Sequence, residues 1–282
     1  MPTVVITAIS GLQQSAIAAA FRAAGWTVRG TSRTAAPAVA AANLETGEGL
    51  AATFNGADVI AFTLPQDHRP GVALRIAANV AAAAATAGVG RIVLNIASRI
   101  VETSPLGVFR GMAAARDAIT TGPVQSVVLQ PKVYMENLVA PWSVADIRAG
   151  TIAYPASEST CIAWISHHTL AEAVVAAATR DVAGQTFFIG GPEALSGTDL
   201  AETLSTRLGH PVRSFTIPLE GFRDSLNQMM GAPAGDRIAE LYQHLADHPT
   251  AMAGGAAGLT DLGVTPETFA RFVARQSWAV AA

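Results

Sequence analysis

One cysteine, Cys161, and one lysine, Lys132, are all that the 282 residues hold of those two types. A single thiol excludes an internal disulfide and a thiolate zinc cage, and it fits a reducing compartment. Charge is scarce too: 14% of the residues are charged and the formal net charge is −3, which excludes a strongly basic nucleic-acid binder. With 50% hydrophobic residues the chain is not a disordered one either. The start, Met-Pro-Thr-Val-Val-Ile-Thr, lacks the basic region of a secretory signal and runs straight into a strand-like stretch. The most apolar tract, Ile76 to Gly90, is bounded by Arg75 and Arg91 and falls short of the roughly 20 residues a membrane-spanning helix needs. The expectation is a soluble, cytoplasmic protein whose partner is a small molecule, with neither membrane nor nucleic acid involved.

What the chain does contain is a rhythm. Short β-branched runs alternate with longer alanine-rich segments, as in βαβ units around a parallel sheet. Val4 to Thr7 reads as a buried strand, followed by a turn at Ser10-Gly11 and a helix from Leu12 to Ala24 that Gly25 stops. Strands at Trp26–Thr31, Asp58–Thr63, Arg91–Ile96 and Ser126–Leu129 follow, with a further one near Val39–Leu44. Helices at Glu48–Phe54, Val72–Ala87 and Met112–Thr121 lie between them. After Pro131 the rhythm changes. Met135 to Ala149 reads as helical with a break at Pro141, and Thr151 to Ile165 as extended pieces. Thr169-Leu-Ala-Glu172 reads as a capping box opening a helix to Thr179, and Gln185–Ile189 as a strand before Gly190-Gly191-Pro192. Ser196 caps a helix ending near Gly209, Val212–Ile217 is extended, Ala251–Gly258 is a loop, and Thr265-Pro266-Glu267 starts the final helix. The fold class is therefore α/β: a doubly wound parallel sheet of the Rossmann type over residues 1–131, completed by 166–190, with 132–282 forming a smaller, mixed C-terminal lobe on the substrate side.

The turn after the first strand carries most information, because a helix starting there points unpaired amides and the positive end of its dipole above the sheet, where an anion is favoured. Thr7-Ala8-Ile9-Ser10-Gly11-Leu12-Gln13-Gln14 has the length and placement of a dinucleotide fingerprint, though only its middle glycine is present. Ile9, Ser10, Gly11, Leu12 and Gln13 are the candidate cofactor-binding residues of this turn; the alternative is an ordinary strand-to-helix turn. At the end of the second strand the sequence reads Gly30-Thr31-Ser32-Arg33. A carboxylate there would bind the ribose of NAD, whereas an arginine accommodates a 2′-phosphate. Arg33 therefore favours NADP(H), against the alternative of a solvated surface arginine.

With these residues in view, the chain resembles the NmrA-like group of atypical short-chain dehydrogenase/reductases, over nearly its whole length. The resemblance rests on the turn above, on Asn55-Gly-Ala-Asp-Val-Ile60 leading to Thr63-Leu64-Pro65, and on Ala87-Gly-Val-Gly-Arg-Ile-Val93 leading to Ser98. Leu129-Gln-Pro-Lys-Val-Tyr-Met-Glu-Asn-Leu138, Trp164-Ile165 and Phe187-Phe-Ile-Gly-Gly-Pro-Glu-Ala-Leu-Ser196 add to it. It implies NADP(H) on a Rossmann domain, with Thr63, Leu64 and Pro65 beside the cofactor. Two departures stand out: Ala8 and Gln14 replace the outer glycines of the family's turn, and Lys132 stands where the family usually has a glycine by the nicotinamide.

Many short-chain enzymes take their proton from a tyrosine with a lysine four residues on. Here Tyr134, Tyr154 and Tyr242 are followed at that distance by Leu138, Glu158 and Ala246. The candidate catalytic residues are instead Lys132, Tyr134 and Ser98, at the carboxyl ends of their strands, with Lys132 also a candidate cofactor contact. His68 with Asp67 is a further substrate-side candidate, and Trp142, Trp164, Met135 and Phe109 are either pocket wall or core. Adjacent His167-His168 lacks companions at ligand spacing, so no metal is expected, and no G-x-S-x-G elbow is present for a serine hydrolase. The expected activity is NADP(H)-dependent reduction of a small carbonyl, quinone or similar acceptor by direct hydride transfer. The alternative is a non-catalytic NADP(H)-binding redox sensor that reports to a protein partner, and a homodimer is compatible with either.

Overall fold

The computed structural model describes residues 1–66, 69–96, 100–232 and 234–278. In chain order the first half gives β1 (Thr3–Ile6), α1 (Leu12–Ala23), β2 (Thr27–Ser32), β3 (Val39–Ala41), α2 (Leu50–Phe54), β4 (Val59–Thr63), α3 (Val72–Thr86), β5 (Arg91–Asn95), α4 (Gly107–Thr120) and β6 (Gln125–Pro131). The second half gives α5 (Val144–Arg148), β7 (Thr151–Tyr154), α6 (His167–Thr179), β8 (Thr186–Ile189), α7 (Gly197–Leu208) and β9 (Arg213–Thr216). It continues with α8 (Leu219–Met230), α9 (Ala234–Asp247), α10 (Ala256–Asp261) and α11 (Phe269–Arg275).

Among the described residues, one sheet runs in the order β3-β2-β1-β4-β5-β6-β8. The registers of its pairs are parallel, for example Val4 with Val28 and with Val59, and Ile92 with Ser126. Strand order reverses between β1 and β4, the topological switch point at which doubly wound sheets bind ligands above their carboxyl ends. Strands with helices on both faces have no wet side, so they read as unbroken apolar runs rather than alternating ones. Val4, Val5, Ile60, Ile92, Leu94, Val127 and Leu129 are all withdrawn from solvent accordingly. On α3 the buried face is largely alanine (Ala77, Ala81, Ala83, Ala84) set between Val72, Ile76 and Val80, small side chains that let a helix lie close to its neighbours.

The described chain divides into two compact units. The first comprises Met1–Pro131, His167–Phe188 and Gly258–Val264; the second comprises Lys132–Ser166, Ile189–Ala257 and the chain from Thr265 on. The second unit has a two-stranded parallel sheet, β7 with β9, and a core around Trp164, Met135, Leu204, Phe269 and Phe272. No helix among the described residues is long and apolar enough to cross a membrane.

Several boundaries differ from the sequence reading. Helix α4 starts at Gly107 rather than Met112, because Val108 and Phe109 are buried and draw the glycine-flanked first turn into the helix. Helix α6 starts at His167, so Thr169 is not its cap; it sits buried in the first turn. Residues Met135–Leu138 form a single 3-10 turn, and no helix resumes until α5, so the expected long helix is two short pieces around Pro141. The glycine-alanine loop is shorter than expected, since α10 begins at Ala256. The cap at Ser196 is as expected: its hydroxyl accepts from the Asp199 amide (3.2 Å), and the Asp199 carboxylate accepts from the Ser196 amide (2.8 Å).

The last helix is opened not by Thr265-Pro266-Glu267 but by Thr268, whose hydroxyl accepts from the Arg271 amide. Glu267 is buried instead, and its two oxygens accept from Nε and Nη2 of Arg275 at 2.7 and 2.9 Å, while the guanidinium lies over Phe272. Removing one partner of a buried pair strands the other, at a cost of about 3–5 kcal/mol when both are dry. Because the Arg275 side chain is 43% exposed, we expect Glu267→Ala to lose about 2 kcal/mol, read as a lowered urea midpoint with an unchanged m-value.

Candidate functional site

The turn that follows β1 is anchored on both sides. Thr7 donates its amide to the Ala61 carbonyl of β4 (3.1 Å), and Ile9 donates to the Thr31 carbonyl of β2 (3.0 Å). Ala8 donates to the Thr31 hydroxyl at 3.2 Å, so the buried Thr31 holds the turn with two of its atoms. Gly30 makes room for this arrangement. A Cβ built on it would fall 2.5–2.7 Å from Cγ2, Cδ1 and Cβ of Ile9, so the side chain of the turn lies where a side chain of the strand would otherwise be.

Ala8 occupies the first glycine position of the fingerprint and has φ of +51°, a left-handed conformation that costs an L-residue about 1–2 kcal/mol. The turn has kept the backbone shape of the glycine version and bears the strain. Gly11 is the N-cap of α1, extended at φ −75° and ψ 153°. No side chain caps this helix end by a hydrogen bond, and no acidic residue lies in its first turn. Thr7 Oγ1, at the start of the same turn, is buried and has no hydrogen-bond partner among the described residues. The site thus offers, at the switch point, a helix N-terminus without a capping hydrogen bond, with Gln14 Oε1 lying over it, and a buried hydroxyl that has no partner among the described residues.

The other expected residues of this unit lie along the same carboxyl edge. Ser10 and Leu12 are exposed, Leu12 at 81%. Gln13 accepts at its Oε1 from Asn95 Nδ2 at 3.2 Å. Leu64 is buried and donates its amide to the Asn95 carbonyl, which places Thr63-Leu64-Pro65 across the ends of β4 and β5. Arg33 is exposed just past β2, and no described carboxylate pairs with it. Arg29, on the same strand, donates to the Asn55 carbonyl and serves the scaffold. Asn95 was missed by the sequence reading; a buried asparagine closing an otherwise apolar strand, Arg-Ile-Val-Leu-Asn, is the signal that could have found it.

The candidates of the second unit are held differently. Lys132 is 3% exposed, and its Nζ donates to the Ala251 carbonyl at 2.9 Å. Tyr134 is half-buried at the head of the 3-10 turn and bridges to Ile165 through its backbone. Trp164 and Met135 are core of this unit and Phe109 is core of the first, whereas Trp142 is 65% exposed. A pair absent from the sequence reading is Tyr154 with Tyr242, whose hydroxyls are 2.6 Å apart, with Trp164 edge-on to Tyr154. Burial, then the neighbouring Tyr242, pushes the Tyr154 phenol well above its ordinary value, and burial raises Tyr242, so both stay protonated at neutral pH. Ser98, His68 and Asp67 lie outside the described residues. No group of three or more His, Cys, Asp or Glu among the described residues is placed to hold a metal ion; His168 instead faces Glu172 across one helical turn at 3.6 Å.

A family profile described as the NmrA-like family matches residues 2–253, and the chain belongs to that family. The NAD(P)H azoreductase of Xenophilus azovorans is 30% identical over 162 residues, which is 57% of this chain and 56% of that protein. The festuclavine dehydrogenase of Aspergillus fumigatus is 31% identical over 149 residues, 52% of this chain and 50% of that protein. The chain therefore spans about half the length of these curated relatives. A nucleoside-diphosphate-sugar epimerase of Staphylococcus aureus shares the fold at TM-score 0.81 and 18% identity, over 98% of this chain and all of that one. The Citrobacter sp. triphenylmethane reductase complexed with NADP(H) follows at TM-score 0.80 and 18% identity, over 96% of this chain and 98% of that one. An NADPH-dependent quinone oxidoreductase of Escherichia coli, complexed with NADPH, has TM-score 0.77 and 19% identity over the same shares.

The fit of Ile9 against Gly30 yields a direct test. Overpacking of this kind costs about 1–3 kcal/mol, so Gly30→Ala is expected to lose that much stability, read as a lowered urea midpoint. The loss should shrink in an Ile9→Ala background, where the clashing branches are gone, whereas an equal penalty in both backgrounds would place the strain elsewhere.

Proposed function

We propose that this member of the NmrA-like family is an NADP(H)-dependent oxidoreductase that reduces a small acceptor by direct hydride transfer. The observation that carries the reading is the helix N-terminus at Gly11, which no side chain caps by a hydrogen bond, together with the Arg33 guanidinium, which no carboxylate among the described residues pairs, one strand away on the same sheet edge. The residues fit the cofactor: Gly11 has no Cβ, the first turn of α1 has no competing carboxylate, and Thr7 Oγ1 is a buried hydroxyl still to be satisfied. Ile9, Ser10, Gly11, Leu12 and Gln13 would hold the pyrophosphate, Arg33 with Ser32 the 2′-phosphate, and Thr63-Leu64-Pro65 would border the ribose and nicotinamide end. When bound, NADPH supplies the hydride. The relatives' names agree in kind, since azoreductase, triphenylmethane reductase and quinone oxidoreductase all denote reductions.

The chain's own residues then decide which acceptor is suitable. A positioned general acid contributes about 10²–10⁴-fold, and no tyrosine here has a lysine four residues on. Lys132, Tyr134 and Ser98 remain the candidates for donating or orienting a proton, with solvent as the other source; the Lys132 ammonium already has the Ala251 carbonyl as an acceptor. An acceptor that spreads the incoming electron pair over a conjugated system, such as a quinone, needs that proton less than a simple aldehyde does. We therefore place quinones ahead of aldehydes and ketones as substrates. The same lack of a Tyr-x-x-x-Lys pair also suits a cofactor-binding sensor that turns nothing over.

Following the absorbance of NADPH with a panel of quinones and aldehydes separates these. Oxidation with quinones supports the enzyme, and tight binding without oxidation across the panel supports the sensor. For the cofactor itself, Arg33→Ala should weaken NADPH about 10–100-fold, the loss of one or two charge-assisted hydrogen bonds, while leaving NADH within about twofold. Equal losses for both nucleotides in a fluorescence titration would count against a 2′-phosphate at Arg33.

A further inference from the structure

Gln14 stands at the third glycine position of the fingerprint, and the structure shows where its side chain goes. It folds back along α1 so that its Oε1 lies against the bare face of Gly11, where a Cβ on that glycine would stand, with Cδ 3.3 Å from the same point. Gln14 is the third residue of the helix, from which a glutamine in a capping box reaches back to the N-cap. Here it makes no capping hydrogen bond: the Gly11 amide donates to the Ala8 carbonyl at 3.3 Å instead. The amide oxygen thus hovers over the helix end without satisfying it. In a dinucleotide fingerprint, the face of the middle glycine is left open because the pyrophosphate approaches the backbone there.

We propose that Gln14 is an internal competitor for the pyrophosphate: its Oε1, a partial negative charge at the positive end of α1, occupies the phosphate position in the free protein and must turn out for the cofactor to enter. This rests on the NADP(H) reading above and adds to it the residue that sets cofactor affinity. The obstructing group is the far end of a flexible chain of three rotatable bonds on a half-buried residue, so displacement requires only a rotamer change. It lowers affinity by the fraction of time the side chain is folded back, as for any ligand whose competent state is partly populated. A glycine at this position could not do this, and a carboxylate would do it more strongly, adding a full charge opposed to the phosphates.

The test titrates the wild-type chain, Gln14→Ala and Gln14→Glu with NADPH by fluorescence, alongside adenosine 2′-monophosphate by ligand-observed NMR. Adenosine 2′-monophosphate retains the phosphate assigned to Arg33 but lacks the pyrophosphate. We expect Gln14→Ala to bind NADPH about fivefold tighter and Gln14→Glu at least about tenfold weaker, with adenosine 2′-monophosphate unchanged in all three. Circular dichroism melts confirm that each variant is folded. An unchanged or weakened NADPH affinity in Gln14→Ala overturns the proposal, the latter by making Gln14 a ligand rather than a competitor. Parallel changes for adenosine 2′-monophosphate overturn it as well, because the effect would then not be local to the pyrophosphate. If all three folded proteins fail to bind NADPH, the cofactor reading fails and the competitor with it, an outcome distinct from equal binding by all three, which removes the competitor alone.

Discussion

The contact on which the first unit's site depends is that of Ile9 over Gly30, fixed by the two bonds into Thr31. It sets the height of the turn above β2 and hence where α1 begins. A parallel sheet exposes no side-chain face to water, so its chemistry is confined to its ends, and a turn at such an end is only as well placed as its tie to the neighbouring strands. Here the tie is made from both sides, to Thr31 on β2 and to Ala61 on β4. The helix dipole that follows is therefore aimed by backbone hydrogen bonds rather than by flexible side chains.

The same turn shows how a fingerprint survives the loss of its glycines. The first glycine is needed for backbone shape, and Ala8 supplies that shape at the cost of a left-handed φ. The third glycine is needed for space, and Gln14 does not supply it; its side chain lies back along the helix toward Gly11. Loss of a conformational glycine is absorbed as strain within one residue, whereas loss of a spatial one is passed to a neighbour. That difference explains why Ala8 leaves the architecture intact while Gln14 alters the surface a ligand would meet.

Much of the first unit was legible because its strands are continuous apolar runs bounded by glycine or proline, a pattern with few other readings. Even the short strand Val39–Ala41 was signalled by a valine between turn residues. Errors arose where local propensity and tertiary burial disagree. Gly107 to Gly111 looks like a loop until Val108 and Phe109 are known to be buried. Thr169-Leu-Ala-Glu172 looks like a cap until Thr169 itself is buried. The hairpin of α8 and α9 was overlooked although Leu219, Phe222 and Leu226 recur at helical spacing, as do Ile238, Tyr242 and Leu245; the glycines and prolines around it masked the period. The contact of Lys132 with Ala251 was not legible at all, since the two lie 119 residues apart and only the fold brings them together.

That long-range contact belongs to the second unit. Lys132 is buried, and its donation to the Ala251 carbonyl at 2.9 Å fixes the direction of its amino group. Tyr154 and Tyr242, by contrast, are shifted toward the neutral phenol and bond to each other. A reaction served by this unit therefore does not draw on Tyr154 or Tyr242 as a phenolate at neutral pH. The proposed reduction of a conjugated acceptor, whose product anion is stabilised by its own delocalisation and can take a proton from water afterwards, does not call on that phenolate.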